Sequence, residues 1–230
     1  MLDFHGYGWV FWEGTKITLL VGLSAVPIAL GLGLLGAWGK LSGNALARAI
    51  AGAYTTIVRG VPELVLILLV YYGFTVLLQH LLSLATGGDV VIDIDPFTAG
   101  TLTLGVIYGA FTTEVFRGAF QALDRGQIEA AYAAGMSRTL AFRRIMLPQV
   151  WRFAIPGLGN IWQVLIKATA LMSVVQLPEL MRMTDVAARA VRMPFTFYFG
   201  ASIIYLLITI VSLLAVHRAE AWANRGIRRA

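Results

Sequence analysis

Asn160, Gln163 and Lys167 stand at i, i+3 and i+7 of an otherwise apolar run. At about 100° per residue they fall within roughly 60° of one another on one helix face. Such groups can hold or pass a polar solute by hydrogen bonds and one positive charge. A lysine deep in a membrane span costs about 2.5–3.5 kcal/mol on insertion scales, so Lys167 needs a water-lined face or a carboxylate. Two readings stay open: a stripe along a polar path, or a lysine paired within the bundle, with Glu114 as its partner. Bond-making chemistry has little to draw on. The histidines His5, His80 and His217 are far apart, with no HExxH spacing, no GxSxG elbow and no cysteine. The nearest approach to a P-loop, "GLLGAWGK" at 33–40, has Leu34 where a glycine is needed and Leu41 where Ser or Thr should follow the lysine. This chain is expected to bind no cofactor of its own.

The elements that must position these residues are membrane spans. Of 230 residues, 58% are hydrophobic and 13% charged, and the mean hydropathy is +0.76. A soluble domain does not hide that much apolar surface. Five segments approach the length needed to cross a bilayer: 17–38, 61–82, 97–118, 157–177 and 195–216. The reading is an all-α membrane protein of about five transmembrane helices. No basic residue precedes Lys16, so the N-terminus lacks a signal-peptide shape and the first run is read as a retained span. The segments after spans one, three and five carry thirteen basic residues, and the opposite side carries four. That asymmetry predicts the N-terminus outside and the C-terminus in the cytoplasm. It also accounts for the net charge of +6 without nucleic acid. The 83–96 loop, with Asp89, Asp93 and Asp95, is then an outer loop. No internal repeat or broken helix is legible.

Other charges have spacings that allow pairing. Glu114 and Arg117 are three apart near the inner end of span three and can pair on the helix surface, with subunit contact or gating as the alternative. Arg59, Pro62 and Glu63 mark the inner start of span two and read mostly as structural, with gating as the alternative. Outside, 178–194 reads as an amphipathic element in which Glu179 can pair with Arg182, and Asp185 with Arg189. It is either a gate or a solvated connector.

The longest inner loop, about 119–156, contains "EAAYAAGMSRTLAFRRIMLP". Asp124 with Gln127 resembles a capping box that starts one short helix. Gly135 suits its C′ position, Ser137 caps a second helix, and Pro148 is expected to stop that one. Ile128 and Tyr132, four apart, form an apolar ridge beside four alanines. Small residues let another backbone come close. They serve equally a partner's socket or packing against this chain's own span ends.

Glu129-Ala130-Ala131, three residues, Gly135, nine residues, then Ile145-Met146-Leu147-Pro148 resembles the EAA signature of membrane subunits of bacterial ABC importers. "RGVPELVLILLVYYG" at 59–73, "YGAFTTEVFRGAFQAL" at 108–123 and "IPGLGNIWQVLIKATALMSVVQLPEL" at 155–180 are similar to polar amino acid permeases. The nearest likeness is to the Q-type subunits of histidine/lysine/arginine/ornithine and octopine/nopaline systems. The resemblance implies a type I importer permease (MetI-like) fold. It implies a periplasmic segment 1–14, a permease domain 15–216 with the coupling loop inside it, and a cytoplasmic tail 217–230. The implied setting is the bacterial inner membrane. The implied partners are a second homologous permease, two ATP-binding subunits carrying ATP and Mg, and a periplasmic solute-binding protein. Glu129, Ala130, Ala131, Tyr132 and Gly135 would meet the ATPase. The Asn160, Gln163, Lys167 stripe would face the translocation path, for a basic or polar amino acid or an opine. Relatives that move basic amino acids often carry an acid after the asparagine matching Asn160, where this chain has Ile161. That implies a heterodimer in which the partner permease supplies the carboxylate.

Overall fold

A computed structural model describes residue 4 and residues 6–88 and 94–225. Asp3, His5, the loop residues Asp89 and Asp93, and Arg228 and Arg229 of the tail lie outside the described residues. The described chain is helical: α1 (Gly8–Leu41), α2 (Ala45–Gly60), α3 (Glu63–Thr86), α4 (Pro96–Gln121), α5 (Arg125–Ala133), α6 (Arg138–Val175), α7 (Leu180–Val191) and α8 (Pro194–Ala223). Helices α1, α3, α6 and α8 are long and apolar enough to cross a membrane.

Helix α4 is long enough but less apolar, and its position explains why. Fourteen of its 26 residues are buried, among them Thr101, Thr103, Thr112 and Thr113. Much of it packs against protein rather than lipid, and among the described residues the buried Thr101 hydroxyl has no hydrogen-bond partner. Thr113 donates to the Gly109 carbonyl at 2.9 Å. Helix α1 lies parallel to α4, with Ile28 against Gly105 and Gly33 against Thr112. A Cβ at Gly36 would collide with the Thr113 hydroxyl, so the seam depends on small residues letting the two backbones approach. Helix α6 runs antiparallel, with Gly157 beside Val115 and Met172 beside Gly100. The largest core cluster gathers around this helix: Val21, Ala25, Ile67, Leu104, Ile107, Tyr108, Leu165 and Met172.

Two expectations about helix boundaries fail. Pro148 does not end a helix. Helix α6 continues through it for 38 residues, by way of a π-helical stretch at Phe142–Met146. There the Leu147 N–H bonds to the Phe142 carbonyl, five residues back. The wider turn relieves the clash that proline's ring makes with the preceding turn.

The second failure concerns span two. The segment 39–60, expected as an inner loop, forms α2, 16 residues or about 24 Å long. It climbs from the C-terminal end of α1, where Gly39 touches Ala47 and Ala51, toward the middle of α4. There the Tyr54 hydroxyl donates to the Val106 carbonyl. The chain then breaks at Val61 and Pro62, both extended in ψ, and restarts as α3. The crossing is therefore a broken helix, and Arg59 and Glu63 flank its break midway along α4, not at an inner membrane face. Proline has no N–H and disfavours helix in the residue before it, which is why Val61 is extended. Only the packing of Tyr54 and Glu63 on α4 reveals the depth. The C-terminal half of α3, Thr75–Thr86, buries none of its residues.

Opposite the α5 end of the bundle, α7 packs on α1 and α8 through Leu180, Thr184, Ala187 and Ala188. Asp185 pairs with Arg189 at 3.0 Å, as the spacing predicts. Glu179 does not pair with the Arg182 side chain. Its carboxylate is fully buried and caps α7, accepting from the Met181 and Arg182 amides at 2.8 and 2.7 Å. Burial pushes this carboxyl up to about 7, against the pull of those two donors and of Tyr205.

Candidate functional site

The hairpin is built from local chemistry. Asp124 accepts from the Gly126 amide at 2.7 Å and starts α5. The reciprocal half of the expected capping box is absent. Gln127 instead accepts from Gln149 at 2.8 Å, which ties α5 to the root of α6. Gly135 holds φ +79°, and the Met136 amide bonds back to the Ala131 carbonyl at 3.1 Å, closing a Schellman turn. Ser137 then caps α6 by accepting from the Leu140 amide at 3.3 Å.

The five residues singled out here do not all face one way. Glu129, Ala130, Tyr132 and Gly135 are exposed, whereas Ala131 is only 4% exposed. Ile128 and Tyr132 do not form one ridge. Ile128 packs against the Phe116–Ala119–Val150 cluster, and Tyr132 stands 45% exposed. Ile128 and Ala131 thus fix α5 to the bundle while the opposite side, almost without side chains, is left open. Both packing alternatives hold, on opposite sides of one helix.

The polar stripe on α6 also divides. Asn160 and Lys167 are exposed, with Val164 between them at 41% exposure. Gln163 lies at the buried edge, 8% exposed, and neither atom of its amide has a hydrogen-bond partner. An unsatisfied buried amide costs about 1–3 kcal/mol. Lys167 forms no ion pair among the described residues. Glu114, its candidate partner, is taken by Lys40 of α1 and by Arg117 at 2.8 Å. Lys40 and Glu114 are 74 positions apart, so no helical spacing could have flagged them. The expected Glu114–Arg117 pair is present, and it belongs to an ion cluster that ties α1 to α4.

At the break, the Arg59 guanidinium lies 5.4 Å from the centre of the Phe111 ring. Both oxygens of Glu63 accept from the buried Tyr108 hydroxyl, at 3.1 and 3.2 Å. Among the described residues neither charge is in an ion pair. Tyr54 and Tyr108, which position this region, were not singled out in the sequence. A tyrosine inside an apolar run was the available signal, because a buried hydroxyl needs a partner.

The family described as binding-protein-dependent transport system inner membrane component matches residues 29–229. The histidine/lysine/arginine/ornithine transport system permease protein HisQ of Escherichia coli (strain K12) is 45% identical over 226 residues, 98% of each chain. Among solved structures, an amino acid ABC transporter with histidines superposes with a TM-score of 0.80 at 31% identity, covering 95% of this chain and 98% of that one. The MetNI methionine ABC transporter, in an inward-facing conformation, gives a TM-score of 0.67 at 18% identity over 94% and 97% of the two chains, a likeness of fold. The type I importer permease fold expected from the EAA spacing is the fold observed, and the chain belongs to the binding-protein-dependent transport system inner membrane component family.

Proposed function

We propose that this chain is one of two membrane subunits of an ATP-driven importer for a basic amino acid or an opine. ATP and Mg are bound by two separate ATPase subunits, and a periplasmic binding protein delivers the solute. The basic-residue asymmetry supports a cytoplasmic location for the α5 hairpin and the C-terminus, and an outer location for α7 and the N-terminus. The observation that carries the reading is the open, small-residue side of α5, held rigid from beneath and bearing the complete EAA spacing.

In this mechanism Glu129, Ala130, Tyr132 and Gly135 seat in a groove of the ATPase, and Ala131 sets their position by packing inward. Gln127–Gln149 and the Gly135 turn make the hairpin stiff, so a push on α5 reaches the root of α6. ATP closes the ATPase dimer, the hairpins move together, and the membrane pair opens outward. Asn160, Gln163 and Lys167 sit on α6 between the levels of Thr112 and Gly105 of α4. Their exposed strip faces a second permease across the path, and Gln163 finds its missing partner in solute or in that subunit. Because Ile161 stands where relatives of basic specificity carry an acid, the partner permease supplies the carboxylate for a cationic side chain.

Glu129→Lys in the intact complex tests the docking role. The variant is expected to insert normally and to lose both ATPase copurification and uptake; survival of both would sink it. Uptake into proteoliposomes without ATP or an ATPase would sink the importer reading itself. An active transporter containing this chain as its only permease would remove the heterodimer.

A further inference from the structure

The break between α2 and α3 holds two opposite charges that the fold leaves unused. Tyr108 and Phe111, which they touch, lie within about 4 Å of the midpoint of α4 along its axis. Helix α4 runs between the two ends of the bundle, so Arg59 and Glu63 sit near the middle of the membrane. A charge there is costly and is retained where it meets a partner or a solute path. Among the described residues neither has an ionic partner. Charges at the ends of the bundle behave differently: Lys40, Glu114 and Arg117 satisfy one another.

The geometry of each group leaves a definite vacancy. The Arg59 guanidinium lies over the Phe111 ring, and among the described residues its N–H edge donates no hydrogen bond. That edge is the part that grips a carboxylate through two parallel bonds. Tyr108 supplies one hydroxyl to Glu63 and is buried, at 1% exposure. A carboxylate has about four acceptor sites, so capacity remains for an ammonium group. Val61 and Pro62 separate the two in extended conformation, so they do not stack one turn apart and neutralise each other. Broken helices at mid-membrane are where transporters commonly seat solute.

We propose that Arg59 and Glu63 read the main chain of the transported amino acid, Arg59 taking its α-carboxylate and Glu63 its α-ammonium group. The ligand class is a zwitterionic α-amino acid. This rests on the importer reading above and deepens it. The α6 stripe and the partner permease read the side chain, and the break reads what all amino acids share.

The test uses the intact transporter, with binding protein and ATPase, in proteoliposomes. Uptake is measured for labelled arginine, lysine, histidine and glutamine, and for the decarboxylated amine and the deaminated acid of whichever moves fastest. The binding protein is the same for every variant, so a change of preference belongs to the permease. Arg59→Gln is expected to cut amino acid uptake at least tenfold and to abolish the preference over the amine. Glu63→Gln is expected to keep that preference and lose the one over the deaminated acid. Arg59→Lys should retain most discrimination with weaker uptake. If Arg59→Gln and Glu63→Gln keep wild-type preferences, the assignment is wrong. It is equally wrong if both variants, and Arg59→Lys, fail to copurify with the partner permease, because the charges then pair between subunits. Uptake of glutamine alone would overturn the basic substrate while leaving the main-chain reading to be decided by the same preferences. Uptake of an opine, measured alongside, but of none of the four would overturn the main-chain reading while leaving the importer, and uptake of neither the four nor an opine would overturn both.

Discussion

The α5 hairpin and the α2–α3 break use the same vocabulary to opposite ends. Each interrupts helix with glycine and nearby charge. In the hairpin most of the interruption is satisfied locally: Asp124 and Ser137 cap and Gly135 turns, and only Gln127 reaches farther, to Gln149. At the break little is satisfied locally. Tyr54 and Tyr108, the groups that hold it, come from helices that meet only in three dimensions. A locally complete motif can be presented to another protein as a rigid piece. A motif completed by tertiary contacts, with two charges left over, is poised toward whatever enters the bundle.

The contrast predicts that damage around the break lowers the subunit's own stability, whereas damage in the hairpin lowers association with the partner. The largest effect is expected for Gly36→Val, which drives a side chain into Thr113 where α1 carries the platform for the break. Overpacking of this kind costs about 1–3 kcal/mol, and the purified subunit should melt earlier. Tyr108→Phe comes next. It strips Glu63 of its one donor, a hydrogen bond to a charged group worth about 1.5–3 kcal/mol, and should lower Tm without touching ATPase copurification. If copurification falls as steeply as Tm, the division between the regions is wrong.

Hairpin changes should invert that pattern. Gly135→Ala forces a Cβ into φ +79°, at about 1–2 kcal/mol, although nothing crowds the position. ATPase copurification should weaken while the melting curve of the membrane subunit stays put. Ser137→Ala removes one cap, worth about 1 kcal/mol, and should produce the same shift in smaller measure. A Tm drop from either variant, with docking preserved, would erase the comparison.

A separate effect concerns pH, at the opposite end of the bundle. Glu179 is raised from 4.5 to about 7, so the folded chain holds its proton more tightly than the unfolded chain does. Its contribution to stability is fully present below about pH 4.5 and is lost as pH rises through about 7. Glu179→Gln should flatten the pH dependence of Tm across that interval. An unchanged slope would mean that the carboxyl is ionised throughout.

Much of the hairpin was legible because its determinants lie within a few residues of one another. The Gly135 turn and the Ser137 cap were read correctly. Even there, Gln127 and Pro148 went astray, since Gln149 and the π-helical turn at Phe142–Met146 depend on how α5 folds back on α6. The stripe on α6 was legible as a face, because helical periodicity is local. Which edge of the face is buried was not, and Gln163 turned inward while Asn160 and Lys167 turned out. The break was misread altogether. Arg59, Pro62 and Glu63 look like the mouth of a span when only the apolar run after them is weighed.

By itself the sequence determined that the chain is helical and membrane-embedded, where its apolar segments lie, and how the α5 hairpin turns. These follow from composition, periodicity and capping, which act over a few turns of helix. Tertiary structure alone decided that α2 climbs to mid-depth, that threonine-rich α4 is the sheltered centre, and that Lys40 takes Glu114 and so leaves Lys167 unpaired. Those outcomes depend on which helices touch and at what level, because a buried charge or hydroxyl is satisfied by a neighbour in space, and no local pattern specifies that neighbour.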